Sequence, residues 1–317
     1  MSPQDGLDRA LLATWLGSVG KLEEVSTLAG DVGLRRYYRL SLGGFGSAVL
    51  ATYPQALQGS YRRFERTTDI FEGLGIRVPR ILLREPRQRW MLLEDLGPRT
   101  VYDLPFRWDV LEPYYRDALA IVERIATLPR EAVAGLSEPL DRSLLERELN
   151  QTLEVFLQPA GLLDGGDHRR SVELAFSKLC DALAGDEVAA CHRDFMVRNL
   201  VPLAGGRVAV LDHQDLRLGP AEYDSASLLN DSFFPEFGSD LYGPRSHTAA
   251  FHRAAAQRTL KAVGTYAAFA RRGNDRHLGL IPRTLERACD HLAAWPETAG
   301  FAARVRAPWA VAAAAFC

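Results

Sequence analysis

Cysteine is scarce in this chain of 317 residues, and its few copies are scattered. No two cysteines have the C-x-x-C spacing of a zinc site or a redox pair. The four are Cys180, Cys191, Cys289 and Cys317. The sequence therefore indicates neither a metal site of cysteines nor a disulfide framework, and we expect the protein to work in a reducing cytoplasm.

Long apolar runs and an excess of charge are also lacking. The longest apolar stretch, residues 307–317, is shorter than the roughly 18 residues of a membrane-spanning helix. The first residues carry acids and no basic cluster, which argues against a secretory signal. A net charge of −2 and a pI near 6.4 give no electrostatic reason to expect nucleic acid as a partner. We expect a globular monomer that binds neither membranes nor nucleic acids.

The most informative stretch spans residues 189–215 and reads AACHRDFMVRNLVPLAGGRVAVLDHQD. Phosphoryl transfer from ATP needs a group that accepts the proton of the attacking hydroxyl, and oxygen ligands for Mg²⁺. The H-R-D-x-x-x-x-N spacing supplies Asp194 as the base and Asn199 as a ligand, and the next apolar run ends at a second ligand, Asp212. The alternative is a polar loop whose Asp and Asn cap turns. A set that fills three roles at once favours catalysis.

The periodicity of apolar residues changes near Gly97. Before it, the pattern predicts strands and helices, with strands over 22–28, 36–42, 47–53, 80–83 and 89–93 and helices over 8–19 and 60–74. After it, the pattern predicts mainly helices, over 114–128, 140–158, 169–183, 245–272 and 281–295. We therefore predict an α+β protein with two domains, residues 1–97 and 98–317.

Two segments of the first domain are suited to nucleotide binding. Strands joined by Gly43-Gly44 can lie over a triphosphate and donate backbone N–H groups, although most such hairpins have no ligand. The strand over 89–93 ends in Glu94-Asp95-Leu96-Gly97-Pro98, which is typical of a crossover whose backbone can bind a purine, although a surface turn explains this stretch equally well. In the second domain, Asp224 is placed as the N-cap of a helix that ends at Leu229.

Six segments together carry a family resemblance: GDVGLRRYYRL (30–40), GIRVPRIL (75–82), LLEDLG (92–97), HRDFMVRNL (192–200), LDHQDLRLGPAEYDSASLLND (211–231) and QRTLKAVGTYAAFARRGNDRHLGLIPRTL (257–285). On these residues the chain resembles the aminoglycoside phosphotransferase and choline kinase group, which is related to protein kinases. Within that group it is most similar to the bacterial kinases that phosphorylate N-acetylmuramate and N-acetylglucosamine at the anomeric hydroxyl in cell-wall recycling. The last segment has no role in kinase chemistry generally, so it marks this subgroup.

The resemblance implies a bilobal, protein-kinase-like fold with a small β-rich lobe and a larger helical lobe. It implies ATP as donor, Mg²⁺ as cofactor and an amino sugar as acceptor. Asp194 matches the catalytic aspartate, and Asn199 and Asp212 match the metal ligands. The residues that match the phosphate loop and the adenine hinge are Gly30, Asp31, Gly33, Arg35, Glu94, Asp95 and Leu96.

Two features depart from the usual kinase pattern. The third strand, residues 47–54, has no lysine, whereas most kinases use one there to hold the α- and β-phosphates. Arg35, Arg36 or Arg39 is then left to supply positive charge. His213 stands where related sequences usually carry an aromatic residue, and we expect a structural role for it.

Three polar residues are candidates for binding the acceptor. Gln214 and Asp215 follow the predicted metal aspartate, and Arg198 precedes the predicted metal asparagine. Stabilisation of the turn is an equally good interpretation for Gln214 and Asp215. Arginines in such loops also pair with nearby acids more often than they touch substrate.

Other functions stay open on the sequence alone. The main alternative is the same chemistry on an aminoglycoside, choline or another metabolite hydroxyl, and acids such as Asp215, Glu222, Asp231 and Asp240 would suit a polycationic aminoglycoside. A pseudokinase without turnover is favoured only by the missing strand lysine. A protein kinase is disfavoured because neither D-F-G nor A-P-E follows the acidic stretch.

Overall fold

The structure, a computed structural model, describes residues 7–28, 34–163, 166–296, 298–300, 302–303 and 306. The chain divides into two compact units. The first comprises residues 1–98 and 209–214, and the second comprises residues 99–208 and 215–317. No helix within the described ranges is long and apolar enough to cross a membrane.

The first unit is built on an antiparallel sheet of five strands in the order β1-β2-β3-β5-β4. Its elements are α1 (Arg9–Leu16), β1 (Lys21–Leu28), β2 (Arg36–Gly43), β3 (Gly46–Thr52), α2 (Gln58–Gly73), β4 (Ile81–Glu85) and β5 (Trp90–Glu94). The turn between β2 and β3 needs positive φ angles, 84° at Gly44 and 107° at Gly46, which glycine adopts without strain. The hairpin predicted there is confirmed.

The sheet of the first unit is apolar on both faces, because each face packs against one helix. Leu50 and Leu92 lie in the cluster that contains Leu12 and Leu16 of α1. Their neighbours along the strands, such as Met91, lie in the cluster of α2 on the opposite face. Alternate residues of a strand point to opposite faces, so this arrangement explains why these strands are almost continuously apolar.

The second unit is mainly helical. It contains α3 (Trp108–Ala126), α4 (Arg130–Val133), α5 (Arg142–Thr152), α6 (Gly166–Ala184), β6 (Val188–Cys191), β7 (Leu200–Pro202), the start of β8 (Val208–Val210), β9 (Arg217–Pro220), α7 (Tyr223–Leu229), α8 (Ala249–Ala270) and α9 (Ile281–Ala293). Strands β6 and β9 pair antiparallel. An antiparallel sheet in the first unit and helices in the second confirm the predicted α+β class.

Helix α8 packs against α5, α7 and α9 in the second unit. At Gly264 a Cβ atom would lie only 2.3 Å from Oγ1 of Thr152 on α5, so glycine is needed for the two helices to approach. The Thr152 hydroxyl donates to the carbonyl of Leu260 at 2.9 Å. Helices α5 and α8 therefore come close enough to share a network of charged side chains.

The structure differs from several of the local predictions. The helix predicted over 140–158 ends as an α-helix at Thr152 and continues as a π-helix over Leu153–Leu157, which periodicity does not reveal. Strand β9 was not predicted, because four residues ending in Gly-Pro resemble a turn. Helix α8 begins only at residue 249, because the hydroxyl of Thr248 caps it by accepting the N–H of Phe251 at 3.2 Å.

Candidate active site

The predicted base Asp194 lies in a loop, residues 192–199, that a buried carboxylate anchors. The backbone N–H groups of His192 and Arg193 donate to the Asp224 carboxylate at 2.5 and 2.9 Å. These bonds hold Arg193 at a φ of 79°, which non-glycine residues rarely adopt. Burial raises the pKa of Asp224 in spite of the two donors. Asp224 was predicted to cap a helix; that is wrong, because it lies inside the first turn of α7 and binds the Asp194 loop instead.

We expect Asp224→Asn to lower both stability and turnover. Each carboxylate oxygen accepts one N–H, and the amide of asparagine would direct its own NH₂ group at one of the two donors. A buried donor left without a partner costs about 1–3 kcal/mol. Urea denaturation should show this loss. The control is Asp141→Asn, because Asp141 is the N-cap of α5 and asparagine caps as well. Wild-type stability and rate in Asp224→Asn would contradict the anchoring role.

Two cations of α8 hold the same oxygen of Asp194. Arg258 Nη2 lies 3.1 Å from Asp194 Oδ1, and Lys261 Nζ lies 3.5 Å from it. Burial opposes ionisation of Asp194, but the positive charges of Lys261, Arg258 and Arg193 outweigh it and hold its pKa well below the usual range. Asp194 is thus ionised at neutral pH and is a weak base, which is better suited to orienting a hydroxyl than to deprotonating it early.

Glu148 of α5 completes this charged network. It accepts from Arg193 Nη2 at 2.8 Å and from Gln257 Nε2 at 3.0 Å, and it lies 3.1 Å from Lys261 Nζ. Burial opposes its ionisation, but the charges of Lys261 and Arg193 lower its pKa. Sequence reasoning missed Glu148, Arg258 and Lys261. The one signal for two of them was the segment 257–285, which marked the subgroup without a chemical role.

Asn199 is tied to the predicted base. It ends a turn of 3-10 helix before β7, and its Nδ2 donates to the backbone carbonyl of Asp194 at 2.8 Å. Because the amide nitrogen is used in this way, the amide oxygen Oδ1 is the atom suited to ligate a cation. The structure therefore brings Asp194 and Asn199 together, while their roles as base and metal ligand stay predictions.

Asp212 belongs to the first unit and has a left-handed φ of 60°. Its Oδ1 accepts from Arg35 Nη2 at 3.0 Å and from Gln214 Nε2 at 2.9 Å. Burial disfavours the charge of Arg35, but the neighbouring Tyr37 and Asp212 raise its pKa. Arg35, a candidate for phosphate binding, is thus directed at the predicted metal ligand.

The side-chain oxygens of Asn199 and Asp212 are of the kinds that Mg²⁺ prefers, amide and carboxylate oxygens. Asn199 offers an amide oxygen and Asp212 a carboxylate, of which Oδ2 accepts neither of the two bonds described. Oε1 of Gln214, next to Asp212, is buried without a hydrogen-bond partner among the described residues. An unsatisfied buried oxygen beside a carboxylate suits a cation or its bound water.

His213 is a packing residue of the first unit. Its side chain is fully buried, and its Nε2 lies 2.8 Å from Oγ1 of Thr68 on α2. Its ring packs on Phe64 and Phe71, with ring centroids 4.5 and 5.3 Å away. These contacts agree with the structural role expected for an aromatic position.

We expect His213→Phe to stay folded and to lose about 1–3 kcal/mol of unfolding free energy, because the phenyl ring is larger than the imidazole and must fit the same fully buried position. The hydroxyl of Thr68 retains its bond to the Phe64 carbonyl at 2.8 Å. Removing the ring in His213→Ala should cost roughly 3 kcal/mol. Denaturation and steady-state rates measure both effects. A folded His213→Phe enzyme without turnover would show that the imidazole has a chemical role.

The acidic side chains of the predicted hinge, Glu94 and Asp95, are bound to other groups of the first unit. Glu94 is paired with Arg77 and Arg80, and the Asp95 carboxylate accepts from Arg39 at 2.7 and 3.1 Å and from the Gly97 N–H at 3.0 Å. Burial opposes their ionisation, but these bonds lower the pKa of both acids. Backbone groups around Leu96 are then the atoms suited to a purine. Gly30, Asp31 and Gly33 lie outside the described residues.

The three candidates for acceptor binding all contact protein groups. The guanidinium of Arg198 lies over the rings of Tyr102 and Phe233, at 4.9 and 4.8 Å, and hydrogen-bonds the His277 ring. Asp215 accepts from Arg193 Nη1 at 3.2 Å, and Gln214 donates to the Asp212 carboxylate. Pairing of Arg193 with acids is the behaviour expected of arginines in this loop.

Comparison with known proteins establishes the family. Residues 24–259 match the phosphotransferase enzyme family. An N-acetylmuramate/N-acetylglucosamine kinase of Pseudomonas aeruginosa is 31% identical, and the match covers 82% of this chain and 81% of that one. A kinase of the same name from Neisseria meningitidis serogroup B is 27% identical, over 86% and 88% of the two chains. The crystal structure of a choline kinase from Streptococcus pneumoniae has a TM-score of 0.59 at 12% identity, over 90% and 99% of the chains, which shows the fold alone.

The chain therefore belongs to the phosphotransferase enzyme family and is a kinase whose acceptor is a hydroxyl group. The resemblance stated from the sequence and the kinase-like fold are both confirmed.

Proposed function

We propose that the protein transfers the γ-phosphoryl group of ATP to the anomeric hydroxyl of N-acetylmuramate or N-acetylglucosamine. The observation that carries the proposal is the Asp194 carboxylate, which is kept ionised by cations and is tied through its backbone to Asn199. The acceptor class rests on the two amino-sugar kinases, whose matches extend over four-fifths or more of each chain.

The reaction needs little proton transfer before the phosphoryl group moves. Asp194 accepts a hydrogen bond from the acceptor hydroxyl and aligns its oxygen with the γ-phosphorus, and it takes the proton late. Asn199 and Asp212 are the side chains that would hold Mg²⁺, and the charge of the bound ion would offset that of the phosphate oxygens. The candidates for binding the acceptor are Arg198, Gln214 and Asp215.

In the first unit, the backbone of residues 94–96 binds the purine, and the loop with Gly30, Asp31 and Gly33 binds phosphates. Arg35 is our candidate for the positive charge that the third strand lacks. Its guanidinium reaches a predicted metal ligand, whereas Arg39 is held in a two-bond pair with Asp95. This difference favours Arg35 over Arg39.

Charge pairing disfavours an aminoglycoside as the acceptor. A polycationic substrate needs unpaired carboxylates. Three of the four acids that suggested one are paired within the second unit, since Asp215 contacts Arg193, Glu222 contacts Arg245 at 3.6 Å, and Asp240 contacts Arg116 at 3.5 Å. The carboxylate of the fourth, Asp231, accepts the backbone N–H of Phe233 at 3.0 Å. A neutral or anionic amino sugar fits this arrangement better. We propose that the enzyme acts in the cytoplasm on sugars released in cell-wall recycling.

The proposal is tested by comparing acceptors. ADP release with ATP and Mg²⁺ is measured for N-acetylmuramate, N-acetylglucosamine, choline, kanamycin and glucose at equal concentrations. We expect kcat/KM for at least one amino sugar to exceed that for choline and kanamycin by about a hundredfold, which corresponds to about 2.7 kcal/mol of discrimination. A preference for kanamycin or choline would contradict the proposed acceptor and leave the phosphotransferase assignment standing.

A further inference from the structure

We infer that Lys261 and Arg258 of α8 are positioning residues for phosphoryl transfer. Both hold Oδ1 of Asp194, so that Oδ2 is the oxygen that receives the acceptor hydroxyl. The inference deepens the proposed function and rests on Asp194 being the base.

The convergence of both cations on one oxygen is the basis of this inference. Arg258 Nη2 lies 3.1 Å and Lys261 Nζ lies 3.5 Å from Asp194 Oδ1. The last torsion of an aspartate side chain is broad and roughly two-fold, so a carboxylate without such contacts can exchange its two oxygens. Two cations on Oδ1 select one orientation. A hydroxyl bound to Oδ2 is then directed along a fixed line, which transfer to phosphorus requires.

Arg258 is itself held in place. Its side chain is only 8% exposed, and its Nε donates to Oγ of Ser227 on α7 at 2.9 Å. The guanidinium is planar, so fixing Nε also fixes the direction of Nη2. Helices α7 and α8 together therefore determine where Oδ1 of Asp194 lies.

Lys261 is held from its other side. Its ammonium lies 3.1 Å from Glu148 on α5, and Glu148 is fixed by Gln257 and Arg193. Lys261 is 13% exposed, so its flexible stem is confined by packing. Its positive charge thus has two carboxylate partners, one structural and one at the reacting centre.

The Asp194 loop offers no cation of its own directly after the aspartate. The next three residues, Phe195, Met196 and Val197, are apolar. The two cations that contact Asp194 Oδ1, Arg258 and Lys261, belong instead to α8 and lie 64 and 67 positions later in the chain. A buried ion pair often adds little to stability compared with an apolar pair of the same shape. Orientation of Asp194 gives these two cations a function that stability alone does not.

The test compares Lys261→Met and Arg258→Met with Arg253→Met. Arg253 lies on the same helix and forms a partly buried pair with Asp186, with 15% and 12% of the side-chain surfaces exposed, so it is a matched control. We expect kcat to fall roughly a hundredfold in the first two variants, because the hydroxyl loses its alignment. KM for ATP and for the acceptor should stay within about twofold, since the inference assigns these two residues contacts with Asp194 and not with either substrate. Lys261→Arg and Arg258→Lys should recover a large part of kcat, while Arg253→Met should leave it unchanged.

A replacement variant and a second assay make the outcome decisive. If Lys261→Met does not fold, the double variant Lys261→Met/Glu148→Gln is tested instead, because it no longer leaves the Glu148 carboxylate without its lysine partner. The slow transfer of the phosphoryl group from ATP to water is also measured for every variant. This assay tests the inference even if the wild-type enzyme does not phosphorylate amino sugars and the proposed acceptor is wrong. A kcat within threefold of Arg253→Met in both methionine variants would overturn the inference. So would a raised KM for ATP at unchanged kcat, which would make these residues nucleotide ligands.

Discussion

Replacing Asp194 by asparagine should lower kcat about a thousandfold, the range that removal of a general base produces. Asparagine retains the shape and one oxygen, but it cannot take the hydroxyl proton and it turns an NH₂ group toward either the cations or the acceptor. KM for ATP should change little. ADP release at saturating ATP, Mg²⁺ and acceptor measures the effect, and circular dichroism shows whether the variant is folded.

The control for this experiment is Asp240→Asn. Asp240 is 60% exposed and contacts only the exposed Arg116, at 3.5 Å, among the contacts described for it. Surface pairs of this kind contribute about 0–1 kcal/mol, so stability and rate should match wild type. Turnover in Asp194→Asn of more than a few per cent of the wild-type rate would show that Asp194 is not the base.

Replacing Asp212 by asparagine should have the second largest effect. The variant should need much more Mg²⁺ for half-maximal rate, and its kcat should fall roughly a hundredfold, because a neutral amide is a weaker ligand than a carboxylate. Arg35 also loses its charged partner and is free to compete for phosphate oxygens. A titration of rate against Mg²⁺ at saturating ATP and acceptor measures both effects.

Stability separates this result from simple unfolding. The Arg35–Asp212 pair is partly exposed, with 22% and 37% of the side-chain surfaces accessible, so its loss should cost no more than about 1 kcal/mol. Urea denaturation should therefore give nearly the wild-type free energy of unfolding. A wild-type dependence of the rate on Mg²⁺ in Asp212→Asn would show that Asp212 is not a metal ligand.

Residues that act through the spacing of one loop could be predicted from the sequence. Asp194 and Asn199 are five positions apart, and the short turn between them brings the amide of Asn199 to the Asp194 carbonyl. The charged residues behind Asp194 could not be predicted in this way. Glu148 and Lys261 come from helices far apart in sequence, and their side chains meet only because Gly264 lets α5 and α8 approach.

Local patterns also explain which elements of the fold were predicted. Strand β2 alternates along its length, and β2 and β3 meet at a glycine-containing turn, so both were predicted. Asp224 fits an N-cap equally well in sequence, and only the tertiary structure shows that its carboxylate serves two N–H groups of another loop. The π-helix over Leu153–Leu157 likewise keeps the apolar pattern of a helix while changing its hydrogen bonds.

The most direct test of the central claim is the position of the transferred phosphate. N-acetylmuramate and N-acetylglucosamine are each incubated with the enzyme, ATP and Mg²⁺, and the products are examined by proton and phosphorus NMR, with Asp194→Asn as the blank. We predict coupling between phosphorus and the anomeric proton in the wild-type product and no product in the blank. Phosphate on another hydroxyl, or no phosphorylated sugar at all, would contradict the claim that the enzyme is an amino-sugar 1-kinase.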